Sequence, residues 1–263
     1  MTDSIKDKAK SEILGLLVAG FIAIFIRTFF FQPFNIPSGS MYPTLEVGDF
    51  LFVSKYPYGY SKTAYPFHVK FYDGRVLGSI PKRGDIVVFN NHKRPDLDFI
   101  KRCVGLPGDK IQMKDGNLHI NGVPTKLEYV GLYTYVNQFG QQDVVKQYKQ
   151  TIPGSNGKDV EHFILKKYEF GKGPLDNTKE ITVPEGHFFA MGDNRDGSAD
   201  SRDEDGLGVV PTDVLIGRAE ILFFSTEAKL FKHADSRWWE LWDLDFIAWV
   251  PGIRWDRLLK ILK

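Results

Sequence analysis

The chain has 263 residues, with 34 Lys and Arg against 33 Asp and Glu, a formal net charge of +1, 43% hydrophobic residues and 25% charged ones. That length allows one large domain or two small ones around a buried core, and the composition excludes a disordered chain. The charge balance excludes bulk electrostatic capture of nucleic acid, and a lone cysteine, Cys103, excludes an internal disulfide or a multi-cysteine zinc site.

Residues 1–12 are polar and carry Lys6, Lys8 and Lys10; Ile13 to Ile26 is then uncharged and apolar. Arg27, Thr28 and three phenylalanines follow, and Pro33, which cannot donate to a helix, marks its predicted stop. A helix over 13–31 would be about 28 Å long, close to the ~30 Å hydrocarbon core of a bilayer, with Arg27 able to snorkel to the headgroups. A cleavable leader would need small residues at its end, and Arg-Thr-Phe-Phe-Phe is the wrong chemistry. A core helix would show a polar face, and this one does not. The segment therefore reads as a membrane anchor. By the positive-inside rule the lysines leave the amino terminus in the cytoplasm and the rest of the chain outside.

Beyond the anchor the pattern is one of short strands and turns. Asp49–Ser54 and Asp85–Phe89 are β-branched or aromatic runs entered by Gly-Asp turns, and 110–123 reads as a hairpin around Asp115-Gly116. Further strands are predicted at 181–183, 187–190 and 214–224. Between Pro124 and Lys179 regularity is lost, which suggests an inserted subdomain, 124–179, between two parts of one core, 32–123 and 180–235. All five tryptophans lie at 238, 239, 242, 249 and 255, so 236–263 stands apart. Mixed with Arg254, Arg257, Lys260 and Lys263, they suit either an amphipathic helix at a membrane interface or a helix packed on the body.

Three stretches carry possible chemistry. In Pro37-Ser38-Gly39-Ser40-Met41-Tyr42-Pro43, prolines and a glycine fix the backbone, which favours a positioned serine nucleophile, though turn serines are common. In Asp98–Gly105, strand alternation puts Phe99, Lys101 and Cys103 on one face. Burial there would lower the Lys101 pKa and supply a neutral amine; a lysine with its tip in water is the plainer alternative. In Met191–Arg202 the acidic loop fails the calcium-loop register, because the last ligand position is Thr212. It reads instead as a hydrogen-bonded network bracing a site, with no metal and no cofactor.

Read together, PSGSMYPTLEVGD, KRGDIVVF, DFIKRCVGLPGD and VPEGHFFAMGDNRDGSADSR, in this order behind an anchor, resemble the bacterial type I signal peptidases. The resemblance implies a mostly β, antiparallel catalytic core behind one transmembrane helix. It implies a membrane-bound serine endopeptidase in which Ser40 is the nucleophile and Lys101 the general base. Ser38 would join the Ser40 backbone N–H in an oxyanion hole, Ser198 would orient the base, and Asp193, Asp200 and Arg202 would support the last loop. The implied substrates are signal-peptide-bearing precursors cut after a small-x-small motif and lying as an added strand. The implied setting is the bacterial cytoplasmic (inner) membrane, with lipid and precursor as partners, no nucleic acid and a monomeric enzyme. After Arg202 the family usually has an aromatic-Gly-aromatic run, and here Asp203–Val209 departs from it. A soluble self-cleaving Ser–Lys repressor protease would lack the anchor, and this sequence has no Gly-x-Ser-x-Gly elbow for a Ser-His-Asp hydrolase. A catalytically inactive, membrane-anchored peptide-binding module is the alternative from another class.

Overall fold

The computed structural model describes residues 2–61, 74–137, 139–227 and 252–262. Helix α1 (Thr2–Phe29) leads into β1 (Phe31–Asn35), a single 3-10 turn at Gly39–Met41, and β2 (Asp49–Ser54). Strands β3 (Tyr60–Ser61) and β4 (Arg75–Val76) pair with each other, as do β5 (Ile86–Asn90) and β6 (Asp98–Gly105). Next come β7 (Lys110–Lys114), β8 (Asn117–Ile120), β9 (Val123–Pro124), β10 (Lys126–Val136), β11 (Gln142–Ile152) and β12 (Val160–Lys166). The remaining strands are β13 (Ile181–Thr182), β14 (His187–Met191), β15 (Val210–Pro211) and β16 (Leu215–Ser225).

A seven-stranded sheet in the order β1-β2-β16-β5-β6-β14-β15 forms the body, beside a β13-β7-β8-β9 sheet and a β10-β11-β12 sheet. All named pairings are antiparallel, so the described residues are mostly β behind one amino-terminal helix. The Lys10–Phe29 part of α1 is long and apolar enough to cross a membrane, and none of it is buried against the protein. The helix stops two residues short of the predicted Phe31. The Lys55 N–H donates to the Phe30 carbonyl at 2.9 Å, and Phe31 already pairs with Ser54. Pro33 falls on β1, the sheet edge, where its missing donor disturbs no ladder.

The continuous apolar run Ile86–Phe89 is buried on both faces. Ile86 and Val88 join a cluster with Ile36, Met41, Leu45, Leu51 and Leu222, while Val87 and Phe89 join Cys103, Phe188 and Leu215. The 110–123 hairpin turns at Asp115 and Gly116, with φ of 48° and 77°, the positive pair of a type I′ two-residue turn.

The 124–179 region is more regular than its sequence suggested: β10 and β11 are eleven-residue strands. A register shift between Tyr129 and Gly131 breaks the alternation that would have revealed them, and much of β10 is exposed. At the carboxy terminus, Trp238, Trp239, Trp242 and Trp249 lie outside the described residues. The described part, 252–262, has one 3-10 turn at Trp255–Arg257 in place of a helix, and Leu262 packs into the core.

Candidate active site

Strand alternation sends neighbouring side chains of β6 to opposite faces, and two consecutive cations use it. Lys101 turns toward the turn after β1, and Arg102 toward the loop after β14. Lys101 is buried, and its Nζ lies 2.7 Å from Ser40 Oγ, 3.1 Å from the Ile100 carbonyl and 5.1 Å from the Phe99 ring centroid. Burial lowers its pKa to about 8; Asp200 and Asp193 pull the other way and Arg202 adds to the fall.

Ser40 sits inside the 3-10 turn Gly39–Met41 and is itself buried. Core burial of Met41 and Leu45 fixes the turn from below, with Leu45 N donating to the Met41 carbonyl at 2.9 Å. Asn194 fixes it from above: its backbone N–H donates to the Ser40 carbonyl at 3.1 Å and its Nδ2 to the Gly39 carbonyl at 3.0 Å. Ser38 precedes the turn in extended backbone (φ −133°, ψ 153°), exposed and without a capping hydrogen bond.

The Gly192–Arg202 loop closes the site. A Cβ on Gly192 would lie 2.2 Å from Ser198 Oγ and 2.6 Å from the Ser40 carbonyl oxygen, so only glycine fits there. Ser198 thus reaches the site, yet its buried Oγ has no hydrogen-bond partner among the described residues and makes none to Lys101. Asp193 accepts from Arg102 Nε at 2.9 Å and Nη2 at 2.8 Å, and from the Thr44 hydroxyl. Asp200 accepts from Arg202 Nε and Nη2, each at 2.8 Å, and from Gly192 N at 3.0 Å. Burial would raise both carboxylates, but the paired guanidiniums and their hydrogen bonds outweigh it and hold both below the usual range. The acidic loop is thus occupied by its own partners.

The β10-β11-β12 sheet braces this loop from the side. Gln150 accepts from Arg195, Lys166 pairs with Asp176 and Asp196, and Tyr135 stacks on Tyr42 with centroids 4.7 Å apart. Burial lowers Arg195 to a pKa of about 10. Sequence reasoning named Ser40, Lys101, Ser38, Ser198, Asp193, Asp200 and Arg202, and the structure gathers Ser40, Lys101, Ser198 and the loop at one place. It did not single out Arg102, Asn194 or Thr44. The signal for Arg102 was present, since an arginine beside a buried strand lysine must face the other way and find its own carboxylate.

No described histidine hydrogen-bonds Ser40. His187 contacts the Glu185 carbonyl, and His162 is buried without a partner, its pKa driven well down by burial and then by Arg102. Burial pushes the Cys103 thiol up, so it lies inert in the core.

Against known proteins, residues 10–224 match the family model described as signal peptidase, peptidase S26. Signal peptidase I of Rickettsia prowazekii (strain Madrid E) is 37% identical over 253 residues, 92% of this chain and 89% of its own length. Signal peptidase I of Rickettsia typhi (strain ATCC VR-144 / Wilmington) is 36% identical over 265 residues, 96% of this chain and 94% of its own. Among solved structures, a signal peptidase I from Enterococcus faecalis V583 covers 53% of this chain and 97% of its own at 25% identity, with a TM-score of 0.31. With a match across most of its length and relatives this similar end to end, the chain belongs to the signal peptidase, peptidase S26 family.

Proposed function

We propose that this protein is a membrane-anchored serine endopeptidase that removes signal peptides from exported precursors, with Ser40 as nucleophile and Lys101 as general base. The observation that carries the reading is the 2.7 Å separation of two buried groups, Ser40 Oγ and Lys101 Nζ. A neutral Lys101 takes the Ser40 proton as Oγ attacks the scissile carbonyl, and the ammonium then gives that proton to the leaving amine. A water, deprotonated by the same amine, hydrolyses the acyl-enzyme. The Ser–Lys pair is a known variant of the serine triad.

The Ser40 backbone N–H and the Ser38 hydroxyl serve as oxyanion donors, each worth roughly 3 kcal/mol by protease precedent. Asp193, Asp200 and Arg202 act on the loop above Lys101; Ser198, whose Oγ makes no hydrogen bond to Lys101 here, keeps the base-orienting role that the family resemblance implies. Family membership supports precursor proteins as substrates, and small residues at −3 and −1 fit backbone recognition with shallow pockets. Lys6, Lys8 and Lys10 favour a cytoplasmic amino terminus in a bacterial inner membrane, with the site just outside and the enzyme working as a monomer.

A synthetic precursor with Ala at −3 and −1, offered to the full chain in detergent or lipid, tests this. Cleavage after the −1 residue is expected. A folded protein that binds the precursor and leaves it intact would favour the inactive peptide-binding module instead.

A further inference from the structure

The carboxy-terminal residues 252–262 do more than end the chain. Strand β16 pairs with β5 only over Leu215–Arg218, and farther along it bonds the tail. Leu222 N donates to the Lys260 carbonyl at 2.9 Å, Leu262 N to Glu220 at 2.8 Å, Arg254 N to Ser225 at 3.0 Å and Glu227 N to Gly252 at 2.9 Å. From this seat two guanidiniums reach the segment that follows the nucleophile.

Arg254 donates to Glu46 at 2.6 Å, to the Val47 carbonyl at 2.9 Å and to Asp49 at 3.2 Å. Arg257 donates to Asp49 at 3.0 and 2.6 Å, to Glu46 at 2.8 Å and to the Thr44 carbonyl at 3.2 Å. Asp49 is fully buried, and among the described residues the charges that pair with it are these two. Removing either would strand part of a buried carboxylate's pairing. Thr44, whose carbonyl Arg257 holds, sends its hydroxyl to Asp193, and Asp193 is locked to Arg102 beside Lys101.

We propose that Arg257, seconded by Arg254, is a positioning residue: the tail is a strap that fixes the 42–49 segment and through it the approach of Ser40 to Lys101. A displacement of about 1 Å at a reacting group costs roughly a hundredfold in rate, so a remote hold of this kind is felt in catalysis. The proposal rests on reading Ser40 as the nucleophile.

The test uses the full chain in detergent, comparing wild type with Arg257→Ala, Arg257→Lys and Arg254→Ala. Two quantities are read: amide hydrogen exchange of Tyr42, Leu45 and Asp49 against amides of β5 and β6, and kcat and KM on a synthetic precursor. In Arg257→Ala, exchange at the three amides is expected to speed about tenfold or more while β5 and β6 hold. With it, kcat falls about tenfold or more at a KM within about twofold, the signature of lost placement. Arg257→Lys recovers part of both, and with Arg254→Ala it carries the comparison if Arg257→Ala does not fold. Unchanged local exchange with kcat near wild type would overturn the strap. So would exchange that quickens equally in β5 and β6, which marks a general stabiliser. If wild type cleaves nothing while the local exchange still responds, the peptidase reading fails and the hold on the segment stands.

Discussion

Arg102 and Asp193 meet in a two-bond pair, 2.9 and 2.8 Å, with each side chain only 1% exposed, one residue along the chain from Lys101. The pair ties β6, which carries the base, to the loop over the site. Removing one partner leaves the other charged in a dry interior.

Asp193→Ala is therefore expected to destabilise the protein by about 3–5 kcal/mol, read by denaturant unfolding in detergent. A loss under about 1 kcal/mol would mean that water reaches Arg102.

Lys101 governs the pH dependence. Its pKa, lowered to about 8 from 10.5 by burial, leaves the amine protonated and unable to accept the Ser40 proton below that value. The rate constant kcat/KM is expected to rise with pH through about 8 and level off above it. A rise centred near 10.5, the ordinary lysine value, would show that the amine is solvated.

The same shift sets a stability effect. Between pH of about 8 and 10.5 the unfolded chain holds a proton on Lys101 that the folded chain has lost, so stability from this group rises with pH across that window and its penalty is complete below about 8. Lys101→Met removes the buried ammonium. Below pH of about 8 this variant is expected to be at least as stable as wild type while cleaving nothing. A folded, active Lys101→Met would remove lysine from the chemistry.

Gly192→Ala places a methyl group 2.2 Å from Ser198 Oγ and 2.6 Å from the Ser40 carbonyl. The site must give way, and a shift of about 1 Å there is expected to lower kcat about a hundredfold. Steady-state kinetics check it, with thermal unfolding to separate displacement from loss of fold.

Ser38→Ala removes one oxyanion donor and is expected to lower kcat by about 10²–10³ with little change in KM. Because Ser38 is exposed and caps nothing, stability should stay within about 0.5 kcal/mol. Loss of KM instead would make Ser38 a binding residue.

Much of the site was legible because its parts are local. The Pro-Gly frame around Ser40, the strand alternation at Lys101 and the acids after Gly192 can each be read within about ten residues as candidates only, and it is the family resemblance of the blocks together that implies their roles. The core strand Asp49–Ser54 was legible for the same reason: its run is short, apolar and preceded by a turn. What escaped depends on distant partners or on broken periodicity. Arg254 could be read as facing either lipid or the body, because Glu46, the partner that decides it, lies 208 positions earlier. The ribbon β10–β11 hid behind the register shift at Val130, between Tyr129 and Gly131, which moves its apolar residues out of phase. The helix end shifted because a backbone donor from Lys55 captured the Phe30 carbonyl, a contact no local pattern announces.

The most direct test is mass-spectrometric mapping of products from an Ala-x-Ala precursor incubated with wild type, Ser40→Ala and Lys101→Met. Cleavage after the −1 alanine by wild type alone is the expected result. Equal cleavage by Ser40→Ala would contradict the assignment of the nucleophile and with it the dyad.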